Sequence, residues 1–150
     1  MSEWDSASLE RIASECPAFQ ARATARAITR YYNICFKPFG LTAEQFALLV
    51  GAGAHKDATV VQLATSAGVD ATTLSRNVQH LVTRGLIFTE GGRGRLGKRL
   101  NLTDAGQALM SDVVPVWKAA KQELSHQMGD DRLSSVTKAM AALTKALSSL

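Results

Sequence analysis

The stretch DATTLSRNVQHLVTRGLIFTEGGRGRLGKRLNLT, residues 70–103, carries the clearest structural pattern of this 150-residue chain. Asp70 is a typical helix N-cap, and Gly85 is a typical helix end. Between them, the apolar residues recur at the spacing of one buried helix face. These residues are Leu74, Val78, Leu81 and Val82. The stretch therefore predicts a helix with one buried face and one polar face.

The polar face of this helix has the composition of a surface that binds nucleic acid. Its outward residues are Thr72, Thr73, Arg76, His80 and Thr83, with Ser75 and Asn77 on the flanks. Hydroxyl, guanidinium and amide groups bond both phosphate oxygens and base edges. An ordinary solvated helix face is the alternative for these residues taken alone.

A hairpin follows the helix. Residues 86–90 and 98–102 predict two strands, in which Leu86, Phe88, Leu100 and Leu102 alternate with polar or exposed positions. The loop between the strands is rich in glycine and carries Arg93 and Arg95, which can enter a narrow groove of negative potential. Together with a short helix at 61–67, this order predicts a winged helix-turn-helix that binds duplex DNA.

The residues before the central stretch predict two longer helices. Pro17 suits the first turn of a helix that runs to about Phe36 and stops at residues 37–40. Thr42 and Gln45 form the pattern of a capping box. In the helix that follows, Phe46, Leu49 and Val50 are expected in the core, and Gly51 and Gly53 at the end. An extended piece at 58–60 then leads to the short helix, which we expect to close at Gly68.

The residues after the hairpin predict two more helices. Thr103 begins a long helix in which Pro115 is the expected place of any bend, and Gly129 ends it. Its apolar residues are Leu109, Val113, Val116, Trp117, Ala120, Leu124 and Met128. The last helix carries a narrow apolar seam of Leu133, Val136, Met140, Leu143, Leu147 and Leu150. Such a seam needs a partner helix, which indicates a homodimer.

The charge distribution agrees with this organisation. Between His55 and Leu100 there are seven basic and three acidic residues, so this block alone carries the net charge of +4. We expect three regions: residues 1–40 as a helical dimerisation arm, residues 41–103 as the DNA-binding domain, and residues 104–150 as dimerisation helices. A basic block between neutral arms is typical of a module that binds a polyanion.

Composition argues against several other classes of protein. No apolar run is long enough to span a membrane, and the amino terminus lacks a secretion signal, so a cytoplasmic protein is expected. Two cysteines and three dispersed histidines predict neither a disulfide scaffold nor a metal site. No phosphate-binding loop or catalytic constellation is present, so we predict neither an enzyme nor a bound cofactor.

Residues 70–87, the wing and the segment LNLTDAG at 100–106 resemble the core of the multiple antibiotic resistance regulator (MarR) family, as do residues 39–46. The resemblance implies a homodimer joined by its terminal helices that binds pseudo-palindromic operators. It also implies release by a small phenolic or other aromatic ligand, or by oxidation of a cysteine. The usual wing of the family has an aspartate before its arginines, which this chain lacks. Arg95 is the best match to the wing arginine, with Arg93 as the alternative.

The input signal has two candidate sites in the amino-terminal arm. Cys16 resembles the reactive cysteine of the family's hydroperoxide sensors, and its place before Pro17 favours a thiolate. A buried, inert cysteine is the alternative. One face of the first long helix carries a row of arginines, Arg22, Arg26 and Arg30. This row suits a carboxylate effector. The alternatives are a solvated face or salt bridges in the dimer.

These patterns predict a DNA-binding transcriptional regulator, interpreted as a repressor released by a small aromatic or carboxylate effector. One alternative is an oxidant-sensing repressor that uses Cys16. Another is an architectural protein that binds DNA without sequence preference.

Overall fold

The described chain is mostly helical, with a single hairpin. The structure is a computed structural model that describes residues 4–67, 69–94 and 97–150. The helices are α1 (Ser6–Glu15), α2 (Pro17–Phe36), α3 (Ala43–Ala54), α4 (Val60–Ala67), α5 (Ala71–Thr83), α6 (Asp104–Met128) and α7 (Asp130–Leu147), with a 3-10 turn at Lys37–Phe39 after α2. The strands are β1 (Ile87–Glu90) and β2 (Arg99–Leu102). The predicted fold class, a winged helix-turn-helix with terminal helices, is confirmed.

The chain divides into two compact units, one up to Met110 and the other Ser111–Leu150, and α6 runs through the boundary. The first unit contains α1 to α5, the hairpin and the start of α6. Its buried apolar residues come from α2 to α5, the two strands and the loops that adjoin them. The most deeply buried large side chains there are Phe36, Leu49, Leu74, Leu81 and Leu100. No described helix is long and apolar enough to cross a membrane.

The capping box at Thr42 is confirmed, but α3 does not end at Gly51 and Gly53, as its sequence predicts. The helix continues through both residues to Ala54. A Cβ added at Gly51 would lie 2.5 Å from Cδ2 of Leu63 in α4, and one at Gly53 would lie 2.9 Å from Cδ1 of Leu102 in β2. These glycines are therefore close-packing positions and not helix terminators. The prediction that Val50 lies in the core is also wrong: Val50 is 41% exposed, whereas Leu48 is buried.

The hairpin forms at the predicted place with a shifted alternation. Ile87 pairs with Leu102 and Phe88 with Asn101 in antiparallel register. Ile87 is buried, whereas Phe88, predicted to face inward, is 39% exposed. Leu86 is buried too, but it precedes the strand and its amide donates to the carbonyl of Leu81 at 3.0 Å. The alternation of period two therefore begins at Ile87, one residue later than expected.

A third extended segment supports the base of the hairpin. Thr59 forms a bridge with Arg99, and the amide of Val60 donates to the carbonyl of Lys98 at 3.0 Å. An extended piece is therefore present before α4, but it is shorter than predicted, because α4 begins at Val60 and not at residue 61. Gly68, predicted to close α4, lies outside the described residues.

The start of α6 lies directly against the residue that opens the hairpin. The Thr103 side chain accepts a hydrogen bond from the amide of Gly106 at 3.0 Å, as a helix N-cap does, and its own amide donates to the carbonyl of Leu86 at 3.1 Å. A Cβ on Gly106 would overlap that same carbonyl oxygen of Leu86. Glycine is therefore required here by the close approach of two backbones.

We expect Gly106→Ala to lower the free energy of unfolding by about 1–3 kcal/mol, because the added methyl group overpacks the contact with Leu86. An exposed glycine-to-alanine change in a helix normally stabilises by about 0.5–1 kcal/mol. A lower free energy of unfolding in Gly106→Ala would therefore support the close contact, and a higher one would contradict it. Urea unfolding measures it. Ala105→Gly, on the exposed neighbour, is the control and should lose only about 1 kcal/mol of helix propensity.

Candidate nucleic-acid interface

The helix α5 is fixed at its amino-terminal end by Asp70. One carboxylate oxygen of Asp70 accepts a hydrogen bond from the amide of Thr73 at 2.9 Å, and the other accepts from the Thr73 hydroxyl at 2.9 Å. The Thr73 amide, and then its hydroxyl, hold the pKa of Asp70 below the ordinary value of an aspartate. The predicted N-cap is confirmed.

The buried side of α5 determines which residues point outward. Leu74 and Leu81 are fully buried and Val78 is 9% exposed, as the helical spacing predicts. On the opposite side, Thr72, Arg76 and His80 are exposed, and Ser75 is half-buried on the flank. An exposed arginine between hydroxyl and imidazole groups offers donors to phosphate and base edges.

Two predicted site residues are already hydrogen-bonded within the chain. The Thr73 hydroxyl donates to Asp70, as described above. The Asn77 amide nitrogen donates to Oε2 of Glu44 at 3.4 Å, and the Asn77 oxygen accepts from the Gln45 amide at 3.4 Å. Asn77 therefore connects α5 to the first turn of α3.

The other end of α5 is held by Arg84, a residue that sequence reasoning counted only as a positive charge. Its guanidinium donates to the carbonyl oxygens of Gly40 at 2.7 Å and Phe39 at 3.0 Å. These carbonyls lie 44 and 45 residues earlier, in the turn between α2 and α3. No local spacing in the sequence signals a contact over that distance.

The wing carries exposed cations in the turn after β1 and at the start of β2. Glycines with positive φ form the turn after β1: Gly91 (+58°), Gly92 (+74°) and Gly94 (+71°). Arg93, Lys98 and Arg99 are exposed. Arg95, the other predicted wing arginine, lies outside the described residues. Sequence reasoning included Lys98 and Arg99 in the basic block but not among the site residues, although both are exposed where the second strand of the wing begins.

The loop before α4 is tied to the wing by a reciprocal pair of hydrogen bonds. The Asn101 amide donates to the Asp57 carboxylate at 3.2 Å, and the Asp57 backbone amide donates to the Asn101 oxygen at 3.4 Å. Asp57 adopts a φ of +61°, which is strained for a residue other than glycine. The pair holds the wing base in a defined place relative to the helix-turn-helix.

Cys16 lies directly before the start of α2, as the sequence predicts, and it also follows α1, a helix that the sequence analysis does not predict. It is half-buried, is not in a disulfide, and makes no side-chain capping hydrogen bond at the start of α2. It borders a shallow cleft with Ser8, Arg11, Ile12 and Glu15. Tyr31 and Tyr32 lie at least about 22 Å further along α2, where Tyr32 stacks on Phe36.

A groove on α2 contains two of the three arginines that recur along the helix. The groove has a volume of about 640 Å³. Its polar lining consists of Arg26, Thr29, Arg30, Asn33, Lys37 and Glu44. In the described part of the chain, no cluster of side chains suited to a metal ion is found.

The lowered pKa of Asp70 predicts a pH dependence of stability. A carboxyl group whose pKa is depressed by folding contributes stability above its unfolded pKa, and that contribution is lost as the pH falls through its folded pKa. We therefore expect Asp70→Asn to reduce the fall in melting temperature between about pH 5 and pH 2. Asp5→Asn, at the N-cap of α1, is a second test of the same kind and should also reduce the fall, because the pKa of Asp5 is also lowered, by hydrogen bonds from Ser8. An unchanged pH profile in both variants would contradict the assignment.

Comparison with known proteins agrees with this geometry. A model of the MarR family matches residues 39–95. The crystal structure of the M. tuberculosis transcriptional regulator MosR is 31% identical, covers 92% of this chain and 99% of its own, and superposes with a TM-score of 0.80. The structure of MosR in complex with DNA is 30% identical, covers 90% and 98%, and has a TM-score of 0.75.

A MarR/EmrR family regulator from Acinetobacter shares only the fold: it is 17% identical over 93% of this chain and 99% of its own, with a TM-score of 0.79. The family model and the MosR structures carry the assignment, and they confirm the prediction of a regulator and not an enzyme. The chain therefore belongs to the MarR family and is a winged-helix, DNA-binding transcriptional regulator.

Proposed function

We propose that the protein is a homodimeric repressor that binds a pseudo-palindromic DNA site and is released from it by a small aromatic, phenolic or carboxylate ligand. The observation that carries the proposal is the outward face of α5, where Thr72, Arg76 and His80 are exposed beside a cationic wing. MosR, solved in complex with DNA, supports duplex DNA as the partner.

In this proposal, α5 enters the major groove and the wing reaches the neighbouring backbone or minor groove. The DNA-contacting residues are Thr72, Thr73, Ser75, Arg76, Asn77, His80, Arg93 and Arg95. Arg76 has the central role, because it is exposed in the middle of the helix and a guanidinium can bond guanine with two hydrogen bonds.

The terminal helices, in residues 1–40 and 104–150, are proposed to form the dimer. Exposed apolar side chains occur along α1 and α2, as at Leu9, Ile12 and Phe19. The α7 seam is exposed as well, at Val136, Met140, Leu143 and Leu147. Apolar residues at this spacing, left open to water, favour burial against a second copy. Two-fold pairing would present two copies of α5 to a pseudo-palindromic site.

The α2 groove is the proposed effector site. Arg26, Arg30 and Lys37 supply positive charge, and Ala25 and Ile34 supply apolar surface. A ligand that combines a carboxylate or phenolic oxygen with a small aromatic ring fits both features.

Replacing Arg76 by alanine should weaken binding to a preferred duplex, selected by the protein from a random pool, by about tenfold or more. Fluorescence anisotropy at two salt concentrations measures the affinity. Wild-type protein should prefer this duplex to a scrambled one by a factor on the order of a thousand, which an architectural protein would not. Arg22→Ala removes the same charge from α2 and should leave the affinity within about twofold. An equal loss in both variants would count against Arg76.

A carboxylate placed in the α7 seam should dissociate the dimer. We expect Leu143→Asp to shift the protein from dimer to monomer in sedimentation and to weaken DNA binding by about a hundredfold, since the two half-sites are then bound separately. Ser135→Asp adds the same charge beside the seam and should leave the dimer intact. A monomeric wild-type protein at micromolar concentration would refute the proposed assembly.

One further variant distinguishes the oxidant-sensing alternative from release by a small ligand. Cys16 is half-buried and not in a disulfide, at the start of α2. If oxidation at this thiol is the signal, peroxide releases wild-type protein from DNA and fails to release Cys16→Ser. Release of both proteins would exclude Cys16 as the sensor.

A further inference from the structure

Arg84 joins the carboxyl-terminal end of α5 to the turn that follows α2. Its Nη1 donates to the carbonyl oxygen of Gly40 at 2.7 Å, and its Nη2 donates to the carbonyl oxygen of Phe39 at 3.0 Å. The guanidinium also packs over Gly40, where an added Cβ would lie 3.4 Å from Nη2. One side chain therefore satisfies two carbonyls at the end of a helical segment, where intrahelical partners run out.

The backbone that carries this guanidinium is fixed on the α5 side. Arg84 is the C-cap of the helix, and Gly85 follows it with a φ of +71°. The amide of Gly85 donates to the carbonyl of Val82 at 2.9 Å. The amide of Leu86 donates to the carbonyl of Leu81 at 3.0 Å. These two bonds form a Schellman motif, so the helix ends in one defined conformation at Arg84.

The turn that accepts the guanidinium is fixed on the α2 side. Phe36, the last residue of α2, is fully buried, and its ring lies 4.4 Å from that of Phe46 in α3, measured between centroids. The Asn33 side chain in α2 accepts a hydrogen bond from the amide of Ala43 at 2.7 Å. The turn is therefore held between α2 and the start of α3, and Arg84 connects α5 to a support that includes α2.

The place of this contact on α5 makes the direction of the helix sensitive to it. About 12 Å of helix separates Arg84 from Arg76, so a tilt of about 10° at the contact would move Arg76 by about 2 Å. In a two-fold dimer both copies move, and the distance between the two copies of Arg76 would change by up to about 4 Å. That change is close to one base-pair step of duplex DNA, about 3.4 Å.

We propose that Arg84 is a positioning residue that determines which spacing between two half-sites the dimer accepts. Pairing fixes the arm, residues 1–40, against its second copy, and the two hydrogen bonds of Arg84 hold α5 at one angle to that arm. Without them α5 stays packed through Leu74 and Leu81, which are fully buried, but its angle varies. This inference rests on the proposed function, because it requires a dimer that binds two half-sites.

A direct contact with a DNA phosphate is the competing role for Arg84, which is exposed. The two roles differ in what a lysine can replace. Lysine retains the charge that a phosphate contact needs. It lacks the rigid planar fork with which an arginine donates to two carbonyls at once.

The experiment compares the preferred duplex with four versions in which one or two base pairs are inserted or deleted between the half-sites. Fluorescence anisotropy at two salt concentrations measures each dissociation constant. Wild-type protein should prefer its own spacing to either one-base-pair neighbour by about tenfold or more. In Arg84→Ala we expect this preference to fall below about threefold, while binding to scrambled DNA stays within about twofold of wild type. Arg84→Lys should show the same loss of preference.

Arg22→Ala is the matched control, because it removes the same charge from the exposed surface of α2. It should keep the wild-type spacing preference. Circular dichroism melts and sedimentation confirm that each variant is folded and dimeric. A purely structural role for Arg84 would lower the melting temperature and leave the spacing preference intact.

Two results would overturn the inference. One is an Arg84→Ala variant that keeps the wild-type spacing preference. The other is an Arg84→Lys variant that binds as wild type does, while Arg84→Ala lowers the slope of log affinity against log salt by about one, since that pattern identifies a phosphate contact. A wild-type protein that binds all spacings equally contradicts the proposed function itself. A preference lost in both Arg84 variants and retained in Arg22→Ala supports the inference.

Discussion

The orientation of α5 depends on the way in which both of its ends and one of its faces are fixed. Asp70 caps the first turn, Arg84 holds the last turn to the carbonyls of Phe39 and Gly40, and Leu74 and Leu81 are fully buried between them. Burial of each leucine contributes about 1.5–3 kcal/mol, and the polar contacts at the ends prevent rotation about the helix axis. The outward direction of Arg76 follows from these constraints, and its proposed role in DNA binding depends on that direction.

Much of this arrangement was predictable from the sequence, because its determinants are local. The N-cap at Asp70, the capping box of Thr42 and Gln45, and the helix start at Pro17 each depend on residues within one turn of each other. The buried face of α5 follows from a regular spacing that leaves a single choice of side. The family resemblance rests on the same short segments.

The features that were missed depend on contacts between distant segments. Gly51 and Gly53 have the local pattern of a helix end, yet α3 continues because Leu63 and Leu102 pack against them. The sequence predicts a buried Phe88, because nothing in it shows that the strand alternation begins at Ile87. The contacts of Arg84 with the α2–α3 turn, and of Asn77 with Glu44, join residues more than 30 positions apart. Neither hydrophobic period nor capping pattern contains that information.

The contact between Gly106 and Leu86 has a mechanical consequence. Two backbones touch there without a side chain between them, so no rotamer change can absorb a displacement. A displacement of the first turn of α6 toward Leu86 would therefore press directly on the backbone at the base of the hairpin. The beginning of α6 and the base of the wing are therefore mechanically coupled, and a shift of one would change the position of the cationic wing tip.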